Sequence, residues 1–230
     1  MSTALVAYAG LTHLGLVYGA AAAAGGFNVV SYDPDAKLVA GLAGGKLPVE
    51  EPGLEAAYRN QRARFTFTAD AAALSQADVV FISADVPTDD AGRSDLARTQ
   101  RLIDAVFPHL KAAATLVVLC QVPPGFTRSM ALPPGFSRAR LFYQVETLVF
   151  GNALERALHP ERFIVGCDDP ARELPAPYAA FLQASGCPVL RMRYESAELA
   201  KIAINCCLVA SVSVANTLAE LCERISADWS

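Results

Sequence analysis

The chain has 230 residues and a formal net charge of −4, from 19 lysines and arginines against 23 aspartates and glutamates. A chain of this length can bury one large core, or one domain with an appendage. Hydrophobic residues make up 53% of it and charged residues 18%, which is typical of an α/β protein whose sheet is covered on both faces. The acidic balance and the lack of a lysine–arginine cluster argue against nucleic acid as a partner.

The chain has six cysteines, at positions 120, 167, 187, 206, 207 and 222. They show neither a C-x-x-C pattern nor a Cys/His spacing that would hold a metal. We therefore expect no metal site and a reducing, cytoplasmic compartment. Two uncharged stretches have the length of an export or membrane signal. Residues 1–32 lack a basic leader and contain a glycine turn, and polar residues interrupt 202–219. We therefore expect neither a signal peptide nor a membrane partner.

The first predicted elements form one unit around a glycine turn. A strand at 4–9 leads into Gly10 and Gly15, a helix follows, and a second strand ends on Asp33. This order is typical of a dinucleotide-binding βαβ unit of the Rossmann type. Gly10 allows the tight turn, Gly15 lets the helix approach the sheet, and the helix N-terminus offers N–H groups to a pyrophosphate. Asp33 lies where an acid can bind both ribose hydroxyls.

Thr12 departs from this pattern, because the fingerprint has a glycine there. A side chain would hold a pyrophosphate away from the backbone, and a β-branched residue fits poorly if the position needs a positive φ. Two outcomes stay open: a working dinucleotide site, or a Rossmann scaffold whose cofactor site has decayed.

Beyond Asp33 the pattern alternates between helices and strands. The predicted helices cover 36–42, 52–61, 95–110 and 171–185, and the predicted strands cover 65–68, 78–83, 115–120, 140–146, 162–167 and 189–192. Ligands of an open parallel sheet bind at the carboxyl ends of its strands. The loops after the strands at 4–9, 78–83 and 115–120 should therefore face one crevice.

The last predicted element is a helix over 195–226 that neither glycine nor proline interrupts. At 1.5 Å per residue it would be about 45 Å long. Because it is apolar on most faces, a second domain or a second copy of the chain must cover it. The sequence predicts an α/β fold: a Rossmann-type, doubly wound, mainly parallel sheet at 1–192, followed by a long C-terminal helix at 193–230.

Polar residues at helical spacing are the first candidates for chemistry. Glu198, Lys201 and Asn205 share one face of the long helix. Lys201 and Asn205 could donate to a developing oxyanion, whereas the plainer alternative is a Glu198–Lys201 salt bridge and an asparagine bonded to the backbone. Spacing alone favours the plainer alternative. Glu146 follows a predicted strand, where a carboxylate can be a general base or ordinary surface charge. His13 lies in the glycine turn with no partner that the sequence identifies.

Several motifs together resemble the UDP-glucose/GDP-mannose (nucleotide-sugar) dehydrogenase family, and the likeness runs in order through the whole chain. The stretches that carry it, each with the family motif that it resembles, are GLVYG at 15–19 (the first loop and helix), PVEEPGL at 48–54 (PIYEPGL), DVVFI at 78–82 followed by GRSDL at 92–96 (ADVVFIAVGTP…DGSADL), VPPG at 122–125 (STVPVGT), HPER at 159–162 (HPDR), and SAELAK at 196–201 leading to Asn205 (the helix of the family's lysine and asparagine).

The resemblance implies an NAD-dependent enzyme that oxidises the C6 alcohol of a nucleotide sugar to a carboxylate, through an aldehyde and a cysteine-bound thioester. It implies NAD as the cofactor, bound by Gly10, Thr12, Leu14, Gly15, Asp33, Lys37, Val86 and Gln121. It also implies that Glu146 lies near nicotinamide and substrate, and that Lys201 and Asn205 support the oxyanion. A homodimer through the 195–226 helix is implied as well.

The chain departs from the family at several positions. Thr12 replaces a glycine, and Val86 and Gln121 replace threonines that touch the cofactor. The pair at 144–145 is Gln-Val instead of Asn-Pro, and the pair at 149–150 is Val-Phe instead of Arg-Glu. We expect the loop with the nucleophilic cysteine and the UDP-binding domain to lie outside these 230 residues. This chain alone should therefore not complete the oxidation.

Two functions stay open. The first is the NAD-binding part of a nucleotide-sugar dehydrogenase, either cut after the central helix or one half of a split enzyme. The second is a non-catalytic, dimeric nucleotide-binding or regulatory relative with a degenerate cofactor site. A different reductase that uses Lys201 and Glu146 without a cysteine is a third, weaker alternative. Which sugar is meant stays open, because the discriminating domain is missing.

Overall fold

The computed structural model describes residues 4–87, 89 and 94–229. Over these residues the chain forms one eight-stranded sheet and a long C-terminal helix, which confirms the predicted fold class. The strands are β1 (Leu5–Ala9), β2 (Asn28–Tyr32), β3 (Phe65–Thr68), β4 (Val79–Ile82), β5 (Thr115–Val118), β6 (Leu141–Gln144), β7 (Phe163–Cys167) and β8 (Val189–Arg193). The α-helices are α1 (His13–Ala24), α2 (Ala36–Ala43), α3 (Leu54–Asn60), α4 (Ala97–Val106), α5 (Phe126–Ser129), α6 (Ala153–Leu158), α7 (Ala176–Gln183) and α8 (Tyr194–Ile225).

The strand order explains where a ligand site can lie. It is β3-β2-β1-β4-β5-β6-β7-β8, and all neighbours are parallel except β6 and β7. The order reverses beside β1, because the chain first builds outward through β2 and β3 and then returns to place β4 on the other side. Such a reversal leaves a crevice at the carboxyl ends of the central strands.

Both faces of the sheet are covered, as the composition predicted. Side chains alternate across a strand, so Val6 and Tyr8 of β1 pack into one core with α1, α3, α6 and α7. Ala7 and Ala9 pack into a second core with α4 and the first turns of α8. The small side chains of β1 on this second face leave room for close packing.

The observed helices differ from the predicted ones in their ends and in their number. Helices α3 and α4 are shorter than the predicted 52–61 and 95–110. Helix α7 begins at Ala176 rather than at 171, because Pro175 disfavours a helical conformation at the residue before it. The short helices α5 and α6 were not predicted at all. The predicted segment at 92–96 lies partly outside the described residues.

Helix α8 has a buried start and an exposed remainder. It contains 32 residues, which is about 48 Å at 1.5 Å per residue. Tyr194, Ala197, Glu198 and Lys201 are buried, whereas most apolar side chains after them are exposed. Within the described part of the chain, this helix alone is long and apolar enough to cross a membrane by length and composition. The division into two domains at residue 192 stays a prediction.

Candidate functional site

The glycine loop between β1 and α1 is packed so closely that it excludes side chains at two positions. Gly10 has a φ of +97°, and a Cβ there would lie 2.8 Å from the backbone nitrogen of Ala84. A Cβ on Gly15 would lie 2.1 Å from the carbonyl oxygen of Gly10. These glycines therefore let the first turn of α1 lie against the ends of β1 and β4, as the fingerprint predicted.

Thr12 adopts an ordinary backbone conformation, so the expected strain is absent there. It is the N-cap of α1 with φ −83° and ψ −173°. Its hydroxyl donates to the carbonyl oxygen of Ser83 (3.2 Å) and accepts from the N–H of Asp85 (3.0 Å). Thr12 thus joins the glycine loop to the loop after β4, a link that a glycine could not make.

Asp33 faces the glycine loop from the end of β2. Its side chain is buried, and its two carboxylate oxygens accept from the N–H groups of Leu11 (2.9 Å) and Asp35 (3.0 Å). Both of these partners are backbone groups rather than cations. Because each carboxylate oxygen has two lone pairs, both oxygens can accept a further hydrogen bond. Lys37 is exposed in the first turn of α2, where its N–H donates to Asp35 (2.9 Å).

An open cleft of about 210 Å³ lies beside the glycine loop. Its lining residues come from the start of α1 and from the segments that follow β4, β5 and β6: His13, Leu14, Ala84, Asp85, Val86, Ser94, Gln121, Glu146, Leu148 and Phe150. The loops that the sequence predicted to share one crevice therefore do so.

Two of the predicted catalytic residues form an ion pair at this cleft. Lys201 of α8 reaches Glu146, which lies two residues after β6. The Lys201 side chain is 7% exposed and the Glu146 side chain 16%. Glu146 also accepts from the N–H of Leu148 (3.0 Å). Because the nearly buried ammonium group of Lys201 is stable only when it is paired, the carboxylate of Glu146 holds it in place at the cleft.

Glu198 has a different partner from the one that the plainer alternative gave it. It is fully buried, and its carboxylate accepts from the backbone N–H groups of Gly125 (2.6 Å) and Thr127 (2.8 Å). The predicted Glu198–Lys201 salt bridge is therefore wrong. The Glu198 carboxylate caps the N-terminus of α5. Its hydrogen bonds also connect the segment after β5 to α8.

Asn205 is also placed differently from either alternative. Its side-chain amide donates to the side-chain oxygen of Gln121 (3.0 Å). Gln121 lines the cleft, so this hydrogen bond connects α8 to the predicted cofactor loop. The asparagine bonds a side chain, not the backbone.

A buried pair at the glycine loop was missed by the sequence reasoning. His13 Nε2 lies 3.1 Å from Glu51 Oε2. Glu51 also accepts from the N–H groups of Gly151 (3.1 Å) and Ala153 (2.8 Å). Burial raises the pKa of the Glu51 carboxyl, but the hydrogen bonds from His13 and the two backbone groups outweigh it, so the pKa lies below its usual value. Nothing in the spacing of His13 and Glu51 signals this contact.

The described residues contain no group of three histidines, cysteines or acids that could hold a metal ion. The fold and the cleft instead define a Rossmann-type dinucleotide-binding domain with an ion pair at its crevice. The chain belongs to the UDP-glucose/GDP-mannose dehydrogenase family. Residues 4–181 match the family's NAD binding domain, and residues 195–230 match its central domain.

Curated relatives and solved structures agree with this assignment. The chain is 33% identical over 235 residues to a UDP-glucose 6-dehydrogenase of Pseudomonas aeruginosa, covering 95% of this chain and 51% of that protein. It is 29% identical over 238 residues to the UDP-glucose 6-dehydrogenase TuaD of Bacillus subtilis, covering 98% and 50%. The chain thus spans about half the length of the curated relatives it matches.

Among solved structures, a UDP-glucose dehydrogenase from Pyrobaculum islandicum superposes with a TM-score of 0.83 at 29% identity, covering 99% of this chain and 55% of that one. A GDP-mannose dehydrogenase from Pseudomonas aeruginosa gives a TM-score of 0.86 at 23% identity, covering 97% and 54%. At that identity the second likeness concerns the fold alone.

Proposed function

We propose that the chain is the NAD-binding and central portion of a UDP-glucose 6-dehydrogenase-type enzyme. Such an enzyme oxidises the C6 alcohol of a nucleotide sugar to a carboxylate. The observation that carries the proposal is the Glu146–Lys201 ion pair at the cleft beside the glycine loop. An acid–base pair at the carboxyl edge of a Rossmann sheet is where substrate chemistry next to a bound dinucleotide would take place.

The residues of the glycine loop fit NAD. Gly10 and Gly15 have no side chain that would separate a ligand from the backbone. The first turn of α1 presents N–H groups that have no intrahelical partner, including those of His13 and Leu14. Asp33 can accept from the adenosine ribose, with Lys37 nearby on α2. Val86 and Gln121 would form the wall at the nicotinamide end. When bound, NAD would accept a hydride from the sugar carbon.

The chain's own residues would handle the proton and the developing charge. Lys201 is a hydrogen-bond donor held in position by Glu146, and it can stabilise an oxyanion. Glu146 can accept a proton as a general base. Asn205 would add a second donor to the oxyanion on release from Gln121.

A non-catalytic nucleotide-binding relative is the second candidate, and one observation favours it. The Asn205 amide that an oxyanion would need is bonded to Gln121, a residue type that the family does not carry there by resemblance. A chain in this state could bind a dinucleotide and assemble without turning over.

A second copy of this chain is the partner that we propose for α8. Its exposed apolar side chains are Leu199, Ile204, Leu208, Val209, Val212, Val214, Leu218, Leu221 and Ile225. They extend over most of the helix beyond its buried start, and a matching helix would cover them. We place the dimer in the cytoplasm, with the nucleotide sugar only partly contacted by this chain.

Calorimetric titration of the chain with NAD and with NADP tests the cofactor assignment. We expect NAD to bind and NADP to bind at least about tenfold more weakly, because the Asp33 carboxylate repels a 2′-phosphate. Asp33→Asn should narrow that difference in affinity. Glu173→Gln, which removes one charge from an exposed position outside the cleft lining, is the control. No binding of NAD at millimolar concentration would contradict the enzyme proposal.

A further inference from the structure

Phe150 is exposed in an unusual setting. It follows β6 by six residues, is 80% exposed and lines the cleft. A single exposed phenylalanine needs no explanation by itself. This ring, however, packs against the imidazole of His13, with 4.5 Å between ring centroids and an angle of 33° between planes. The imidazole is held by the buried Glu51 carboxylate.

The backbone that carries Phe150 is also held. The N–H of Asn152 donates to the carbonyl oxygen of Val149 (3.0 Å), which closes a turn around Phe150. The N–H of Gly151 donates to the same Glu51 carboxylate (3.1 Å). One buried acid therefore positions both the imidazole and the turn, which places the phenyl ring against the imidazole. Such preorganisation lowers the entropic cost of binding.

The strand order decides which ring of a dinucleotide could reach this wall. Asp33, the proposed ribose acceptor, follows β2 on one side of β1, whereas Phe150 follows β6 on the other side. A dinucleotide lying across the end of β1 puts adenosine toward β2 and nicotinamide toward β4, β5 and β6. A planar ring at Phe150 would therefore be nicotinamide and not adenine.

We propose that Phe150, supported by His13, stacks on the nicotinamide ring of NAD. The inference rests on the proposed function, since it needs NAD in the cleft. Phenyl and pyridinium faces attract each other through ring stacking and through the positive charge of the oxidised ring. Phe150 is thus a binding residue that contacts the nicotinamide half of the cofactor.

The test compares NAD with ADP-ribose, which keeps the adenosine and the diphosphate but lacks nicotinamide. Calorimetry on the full chain gives the affinity for both ligands. We expect Phe150→Ala to weaken NAD binding about 3- to 10-fold, the range of one aromatic stack, and to leave ADP-ribose affinity unchanged. Phe150→Trp keeps an aromatic ring at this position and should bind NAD about as tightly as the unchanged chain. Val149→Ala, an exposed neighbour that does not line the cleft, is the control and should change neither affinity.

Three outcomes overturn the inference. If Phe150→Ala weakens NAD and ADP-ribose equally, the ring acts on the shared part of the ligands or through His13. If it changes neither affinity while circular dichroism shows a folded chain, the ring contributes no stacking. If the unchanged chain binds neither ligand, the proposed function itself fails, and that result is distinct from the other two.

Discussion

The hydroxyl of Thr12 makes a structural link at a position where the fingerprint has a glycine. It carries two hydrogen bonds between the glycine loop and the loop after β4, to Ser83 and from Asp85. The residue type alone could not reveal this, because both partners lie more than seventy residues away along the chain. The sequence marked the position as a departure from the fingerprint. The negative φ of Thr12 removes the argument from backbone strain, whereas the displacement of a pyrophosphate by the side chain stays a prediction.

We therefore expect the hydroxyl, and not the methyl group, of Thr12 to stabilise the site. Thr12→Val keeps the shape of the side chain but removes both hydrogen bonds, so it should lower the free energy of unfolding by about 1 kcal/mol. Thr12→Ser keeps both bonds and should stay close to the unchanged chain. Urea unfolding of the three proteins measures the difference. A loss of stability in Thr12→Ser with none in Thr12→Val would show that packing of the methyl group matters instead.

At the scale of elements, the sequence predicted several boundaries well. Strands β3, β4 and β8 and helix α2 lie within one residue or so of their predicted ranges. The two missed helices are short, with four residues in α5 and six in α6. Helices this short have no independent stability.

Each missed helix has an N-terminus that binds a carboxylate from elsewhere in the chain. Glu198, 71 residues beyond Thr127, caps α5, and Glu51, 102 residues before Ala153, caps α6. Local sequence patterns do not predict contacts between residues so far apart in the chain. The same holds for the ion pair of Glu146 and Lys201, since spacing along α8 favoured Glu198 as the partner.

The cap on α6 should make stability depend on pH in the acid range. The folded-state pKa of Glu51 is lowered, so the unfolded chain binds more protons between the two pKa values. The stabilisation is present above the ordinary glutamate pKa of about 4.3, and it is lost as the pH falls through the lower folded-state pKa.

Glu51→Gln should therefore lower the free energy of unfolding at neutral pH by about 1–3 kcal/mol, since hydrogen bonds to a charged group are lost. The variant should also lose less stability than the unchanged chain between about pH 5 and pH 3. Urea unfolding across that range measures both effects. Glu50→Gln, at the exposed neighbouring position, is the control, and the same acid slope in both variants would contradict the assignment.

At the scale of the whole molecule, the site exists only because distant segments meet at one sheet edge. The glycine loop, the loops after β4 and β5, the end of β6 and the start of α8 all contribute. The sequence predicted the shared crevice from the parallel strand pattern, because ligand position follows from topology. It could not predict which side chains pair there, since those contacts depend on how α8 packs across β6 and β7.

The exposed remainder of α8 supports the last prediction, which concerns assembly. Ile204, Leu208 and Val212 are 38%, 60% and 51% exposed, and their spacing of four places them along one face of the helix. We expect the chain to sediment as a dimer without detergent. Leu208→Glu would put an unpaired charge on that face in both copies, so dimer affinity should fall about 100-fold or more.

Sedimentation velocity at several protein concentrations measures this shift. Gln183→Glu adds the same charge to the exposed surface of α7 and should leave the dimer unchanged. A helix that spanned a membrane would give a different pattern, because the unchanged chain would then need detergent to stay dispersed and would float with lipid vesicles. That result would contradict the dimer, since a face buried in lipid is not available to a second copy.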